Sequence, residues 1–178
     1  MKINTLYFFV EGLSDEIFIQ NIVKKILPNM EIKIVQYANK EIEKTINYLN
    51  SLKRMINNNY NTNYYFIADN DNSSPYPDKK INHIKKTYKH LKEENIIIVK
   101  EEIENWYLAG ISKKACRKLN LSKIKDADKI SKENFVQRLK NRTRFDAYSE
   151  ILSDYLLVQA KEKSDSFKYF IDEIGKYL

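Results

Sequence analysis

Short apolar runs alternate with amphipathic segments through the first 110 residues. The apolar runs, which are typical of buried parallel strands, are residues 6–10, 32–35, 64–68 and 96–99. Between them, apolar positions recur every three or four residues, which predicts helices. These helices cover residues 15–27, 42–52 and 81–91, followed by a short helix at 101–109. The alternating order predicts an α/β fold with a mainly parallel four-stranded sheet flanked by helices.

The remainder of the chain lacks strand patterns. Apolar spacing predicts one helix around Tyr148–Tyr155 and another around Phe167–Ile174. We therefore expect an α/β core at residues 1–110 and a C-terminal helical extension at residues 111–178, packed on that core. About 68 residues would form a marginal domain alone, which favours this arrangement.

The charge balance is basic. Lys and Arg number 31 against 24 Asp and Glu, a net charge of +7. This favours a polyanionic partner such as nucleic acid, although a Lys- and Asn-rich composition can also reflect the base composition of a genome. The sequence lacks a signal-peptide pattern and an apolar run near the roughly 20 residues that span a bilayer. We expect a cytoplasmic protein without a membrane partner.

An acidic motif follows the first predicted strand. Glu11 and Gly12 come directly after the apolar run, and Asp15 follows within the next helical turn. A carboxylate at the end of a buried strand needs a cationic partner or a metal. Gly12 permits a sharp turn or the close approach of a ligand to the backbone. Asp15 is either a ligand of a second metal or a residue that stabilises the start of the helix.

A second acidic motif follows the third predicted strand. Asp69 and Asp71 are separated by one residue, and a bend at Asn70 would let both meet one cation. Oxygen ligands of this kind suit Mg²⁺ or Mn²⁺. A polar turn without a site is the alternative. Because parallel strands share one carboxyl edge, where ligands bind in open α/β sheets, we expect Glu11, Asp69 and Asp71 to lie together.

A third acidic group follows the fourth predicted strand. Glu104 is placed to face the same edge if Ile103 and Trp106 point into the core. Glu101 and Glu102 fit a solvated first helical turn equally well. Glu104 is therefore a further candidate metal ligand.

These motifs, in this order, resemble the TOPRIM domain, a Rossmann-like fold found in topoisomerases, primases and OLD-family nucleases. The resemblance rests on Glu11-Gly12 after strand one and Asp69-x-Asp71 after strand three. The stretch Glu102–Ala109 and the segment Ser166–Phe170 are similar to segments of small stand-alone TOPRIM-like proteins. The chain departs from the family in lacking a glycine soon after the Asp pair, and it has no phosphate-binding ATPase loop.

The resemblance implies a magnesium-dependent nuclease. In the family the Asp pair holds Mg²⁺, and the Glu acts as a ligand or as a general acid or base. A basic side chain would stabilise the transition-state charge. The candidates are Arg142, Arg144 and Lys161, for which a solvated surface position is the alternative.

Three functions remain open from the sequence. The first is a metal-dependent nuclease that hydrolyses DNA or RNA, in defence or in nucleic-acid processing. The second is a non-catalytic TOPRIM-like module that binds nucleic acid or a protein. The third is a phosphohydrolase for small molecules, which would be expected to carry Asp rather than Glu11 after strand one. A homodimer or a complex with a partner protein is compatible with each.

Overall fold

The computed structural model describes residues 3–58, 60–70, 77–89, 91–122, 124, 126–127, 130–139 and 142–178, with only the backbone of Lys132. The strands are β1 (Thr5–Val10), β2 (Glu31–Gln36), β3 (Thr62–Asp69) and β4 (Ile96–Val99). They form a parallel four-stranded sheet in the order β2-β1-β3-β4. In this register Phe9 on β1 lies opposite Val35 on β2 and Phe66 on β3. The predicted α/β class with a parallel sheet is confirmed.

Helices connect the strands and, with short turns and loops between them, follow β4 in the described part of the chain. They are α1 (Leu13–Ile26), α2 (Ile42–Asn57), α3 (Pro77–Thr87), α4 (Ile103–Ala109), α5 (Lys113–Lys118), α6 (Lys132–Arg138), α7 (Arg144–Ser153), α8 (Leu157–Lys163) and α9 (Asp165–Ile174). Short 3₁₀ turns lie at Glu93–Asn95 and Gly175–Tyr177. None of the helices in the described part of the chain has the length and apolar character needed to cross a membrane.

Several helices differ in extent from the prediction; α2, for example, continues to Asn57 instead of ending at residue 52. Helix α1 begins at Leu13, two residues early, because the Asp15 side chain accepts a hydrogen bond from the backbone of the N-cap residue Gly12. Helix α3 ends at Thr87, before Tyr88 and Leu91, whose spacing predicts a longer helix. Both residues are nevertheless buried, so their apolar spacing reports burial rather than helical structure.

The core of the first compact unit, residues 1–98 with 174–178, is built on both faces of the sheet. The side chains of successive β1 residues point to opposite faces of the sheet. Tyr7 and Phe9 join a buried cluster with residues of α2 and α3. Leu6, Phe8 and Val10 are equally buried, and α1 contacts β1 and β2. Since every residue of β1 is buried, this strand lies at the centre of the unit.

The core of the second compact unit, residues 99–173, is organised around α4. Every residue of α4 is buried. Trp106 stacks on Phe170 with ring centroids 4.9 Å apart, and its indole N–H donates to Ser166 Oγ at 2.9 Å. Tyr107 stacks on Tyr148 of α7 with centroids 4.1 Å apart. The stretches Glu102–Ala109 and Ser166–Phe170 therefore contact each other.

This grouping differs from the boundary predicted at residue 110. Helix α4 groups with the later helices because its aromatic side chains find their partners there. The last residues, Ile174–Leu178, group with the first unit instead. There, the Asn63 side-chain amide donates to the Tyr177 hydroxyl at 2.6 Å.

Candidate functional site at the carboxyl edge of the sheet

The strand order creates a topological switch point between β1 and β3. The chain passes from β1 to β2 on one side and then crosses back over β1 to β3 on the other. In open α/β sheets, ligands bind outside the carboxyl ends of the strands at such a point. Glu11 directly follows β1, and Asp69 is the last residue of β3. Both residues therefore flank the position where this fold class binds ligands.

Glu11 and Asp69 are in direct contact. The backbone N–H of Asp69 donates to Glu11 Oε1 at 3.2 Å. Asp69 is only 7% exposed, and Glu11 is half-buried. The structure thus brings together two of the three residues predicted at this edge, through the backbone of Asp69 and the carboxylate of Glu11. The third, Asp71, lies outside the described residues.

Tyr37 is a further member of the site. It follows β2, and its backbone N–H continues the pairing with β1 by donating to the Val10 carbonyl at 2.8 Å. Its hydroxyl lies 3.0 Å from Glu11 Oε1 and 3.3 Å from the Ile67 carbonyl oxygen. A phenol has one hydrogen to donate, and bonds to ionised acceptors are the stronger ones. The principal bond of this hydroxyl is therefore to Glu11.

The carboxylates around Tyr37 affect the pKa of its hydroxyl. Burial raises the pKa of Tyr37 far above its ordinary value, and the negative charge of Glu11 raises this pKa further. Asp15 and Asp69 contribute in the same direction. Three carboxylates therefore act on one buried hydroxyl, which stays protonated and neutral.

Gly12 and Asp15 form the start of α1 beside this group. Asp15 is 4% exposed, and its Oδ2 accepts the Gly12 N–H at 3.1 Å. Asp15 thus performs the helix-stabilising role that was the alternative to metal binding, and its role as a ligand remains a prediction. A Cβ added to Gly12 would lie 3.9 Å from Asp15 Oδ2, an ordinary contact. The protein's own packing therefore tolerates a side chain at position 12.

The chemistry of this group suits a divalent cation. Carboxylate oxygens are the ligands that Mg²⁺ and Mn²⁺ prefer. Both hydrogen bonds that described residues donate to Glu11 end on Oε1, so Oε2 remains for a ligand. Among the described residues, no three His, Cys, Asp or Glu side chains form a group able to hold a metal ion. Because Mg²⁺ is usually held by one or two carboxylates with water and substrate phosphates, Glu11 and Asp69 fit this role.

Glu104 lies in the second unit and has its own partners there. Its side chain is 0% exposed. Tyr148 donates a short hydrogen bond to Oε1, and Arg144 Nη1 lies 3.8 Å from the same oxygen. Two predicted site residues, Glu104 and Arg144, are therefore brought together as an ion pair. That Glu104 shares a metal with Glu11 remains a prediction.

The other basic candidates also lie in the second unit. Lys161 Nζ forms an ion pair with Asp172 Oδ1 at 2.8 Å. Arg142 is exposed. The exposed position of Arg142 matches the solvated surface alternative, and the substrate-binding role stays a prediction for all three residues.

Sequence reasoning missed Tyr37, although a signal was present. Tyr37 follows the second apolar run by two residues, Gln36 being the last residue of β2. The carboxyl end of β2 lies at the same sheet edge as the ends of β1 and β3, so a polar residue just after β2 was the signal, although Tyr37 is not acidic.

Comparison with known proteins finds no match: no protein-family model, no curated protein and no solved structure is significantly similar to this chain.

Proposed function

We propose that this chain is a divalent-metal-dependent phosphodiesterase that hydrolyses DNA or RNA. The observation that carries the proposal is the contact between Glu11 and Asp69 at the switch point between β1 and β3. This is the position at which an open α/β sheet receives its ligand. The order of the acidic motifs, which resembles a TOPRIM domain, supports the same reaction class.

The acidic edge of the sheet requires a cation if the ligand is a phosphate. At short range and low dielectric, two carboxylates next to an anionic phosphate would repel it by on the order of several kcal/mol. A bound divalent ion supplies charge neutralisation and activates a water molecule. Glu11, Asp69 and Asp71 would hold it. Asp69, at the end of β3, would contribute a carboxylate fixed by the sheet.

Glu11 is suited to a second task near the attacking water. It is half-buried and fixed on Oε1 by two donors. As the alternative to binding the cation, its second oxygen could accept a proton from a group directly in front of the sheet edge. Gly12 has no side chain of its own to block a phosphate that approaches the backbone, although its N–H donates to Asp15.

The nucleic-acid substrate is supported by charge. The chain carries a net charge of +7, and positive charge attracts polyanions. Arg142, which is exposed, is available to a phosphate backbone. The same charge would not be required for a small phosphorylated molecule.

Cleavage assays with a matched pair of variants test the proposal. We expect the purified chain to cut single- or double-stranded DNA or RNA in the presence of Mg²⁺ or Mn²⁺ and not with EDTA. Asp69→Asn should lower the rate by more than about 100-fold, beyond the 10- to 100-fold typical of residues that only orient metal ligands. Asp154→Asn, the same change at an exposed carboxylate, should leave the rate unchanged.

Other results would favour the alternatives. Salt-sensitive binding of nucleic acid that survives Asp69→Asn, without cleavage in either metal, would favour a binding module. Release of phosphate from a small phosphomonoester, with no action on nucleic acids, would favour a phosphohydrolase. Equal cleavage by wild type and Asp69→Asn would contradict the proposed site.

A further inference from the structure

We infer that Tyr37 is a positioning residue that fixes the Glu11 carboxylate so that Oε2, rather than Oε1, faces the ligand. The inference rests on the proposed function, because Glu11 is taken as a group that meets the metal or the substrate. It assigns a role to a residue that the acidic motifs leave out.

Two donors from different strands converge on one oxygen. The Tyr37 hydroxyl comes from the end of β2 and reaches Glu11 Oε1 at 3.0 Å. The Asp69 backbone N–H comes from the end of β3 and reaches the same oxygen at 3.2 Å. With Oε1 engaged twice, Oε2 is the oxygen available to a ligand. A freely rotating Glu would offer either oxygen and would lose side-chain entropy on ordering.

Tyr37 itself is held firmly in place. It is 8% exposed, and its ring stacks on Phe66 with centroids 4.4 Å apart. The Tyr88 ring packs edge-on against the Tyr37 ring, with centroids 5.9 Å apart. The backbone N–H of Tyr37 is bound to the Val10 carbonyl. The hydroxyl therefore has a fixed position relative to β1, the strand that carries Glu11.

A tyrosine suits this position better than a charged donor. A phenol is a neutral hydrogen-bond donor, so it donates to Glu11 without neutralising the carboxylate. A Lys at this position would form an ion pair and reduce the attraction of Glu11 for a cation. Groups that orient a metal-binding side chain by a hydrogen bond typically change metal affinity by 10- to 100-fold.

The test uses Tyr37→Phe, which keeps the stacked ring and removes only the hydroxyl. Mn²⁺ binding is measured by the decrease of the free-ion EPR signal. We expect Tyr37→Phe to weaken Mn²⁺ affinity by about tenfold, the lower end of the range for orienting residues. The matched control is Tyr64→Phe, which removes a buried hydroxyl of the same core cluster that contacts the Lys92 backbone N–H instead. It should leave Mn²⁺ affinity unchanged.

A metal-free measurement tests the contact separately. The unfolding equilibrium constants of Tyr37→Phe, Glu11→Gln and the double variant form a cycle. If Tyr37 acts through Glu11, the effects of the two substitutions on the free energy of unfolding are not additive. Additive effects would overturn the inference. An equal loss of Mn²⁺ affinity in Tyr37→Phe and Tyr64→Phe would also overturn it. Wild-type affinity in Tyr37→Phe would overturn the positioning role alone. A wild-type chain that binds no Mn²⁺ would overturn the proposed function and, with it, the role of Oε2.

Discussion

Glu104 depends on its neighbours because its side chain has no exposed surface. Tyr148 donates to its Oε1, and Arg144 lies beside the same oxygen. When a buried carboxylate loses a hydrogen-bond donor, the free energy of its desolvation is no longer compensated. We expect Tyr148→Phe to lower the free energy of unfolding by about 1–3 kcal/mol, measured by urea denaturation at pH 7. Tyr60→Phe, at a tyrosine that is 60% exposed, should change it by less than about 0.5 kcal/mol. Similar effects of both substitutions would contradict this account.

Gly110 is required by the close approach of an aromatic ring. A Cβ at this position would lie 2.2 Å from Cζ of Tyr155. The ring cannot easily retreat, because its hydroxyl donates to the Trp106 carbonyl at 2.5 Å. We expect Gly110→Ala to destabilise the chain by about 1–3 kcal/mol or more, as overpacking does.

The control for this substitution is Gly175→Ala, since a Cβ there would meet nothing within 4 Å. Its effect on the thermal unfolding midpoint should be negligible. A midpoint for Gly110→Ala equal to that of Gly175→Ala would show that the Tyr155 ring moves aside at little cost.

Secondary-structure elements were largely predictable where burial imposes a local pattern. The four apolar runs became β1 to β4 because strands of a parallel sheet are covered on both faces. The start of α1 was missed because Gly12 is the N-cap residue and because Leu13 is 49% exposed. The spacing of buried apolar residues does not predict that an exposed apolar residue such as Leu13 belongs to the helix.

The candidate site was predictable only in part. Glu11 and Asp69 could be placed because they directly follow recognisable strands. Tyr37 could not be distinguished by composition, as one of 13 tyrosines. Its role depends on a contact between residues 26 positions apart, and the Gly110–Tyr155 approach is non-local in the same way.

The face of the sheet covered by α2 and α3 should make stability sensitive to alkaline pH. Tyr37, Tyr64 and Tyr88 are buried in this cluster, and burial is the main cause that raises the pKa of each. In the unfolded chain tyrosine titrates near pH 10. The unfolded state therefore releases protons first, and stability falls as pH rises above about 10.

The fall is at most about 1.4 kcal/mol per pH unit for each tyrosine. Urea denaturation between about pH 8 and pH 11 measures it. Tyr88→Phe should make the alkaline decline shallower while leaving the slope below about pH 9 unchanged. An identical pH profile for Tyr88→Phe and wild type would mean that Tyr88 titrates normally in the folded protein.

The whole chain does not divide at a single point in sequence. The first unit contains residues 1–98 and ends with residues 174–178, so the second unit is inserted between them. The closing segment contributes Tyr177, whose ring packs on Tyr65 at 6.3 Å between centroids. A sequence pattern read along the chain predicts a linear boundary, because it carries no signal for the return of the last residues to the sheet.

At the scale of the whole molecule, we propose that a protein of net charge +7 binds a divalent cation at the acidic carboxyl edge of its sheet. Crystals grown with Mn²⁺ and measured at the manganese absorption edge test it most directly. We expect an anomalous peak at roughly metal–ligand distance, about 2.0–2.6 Å, from Glu11 Oε2 and an Asp69 carboxylate oxygen. A peak bound elsewhere, or none at this edge at saturating Mn²⁺, would contradict the claim.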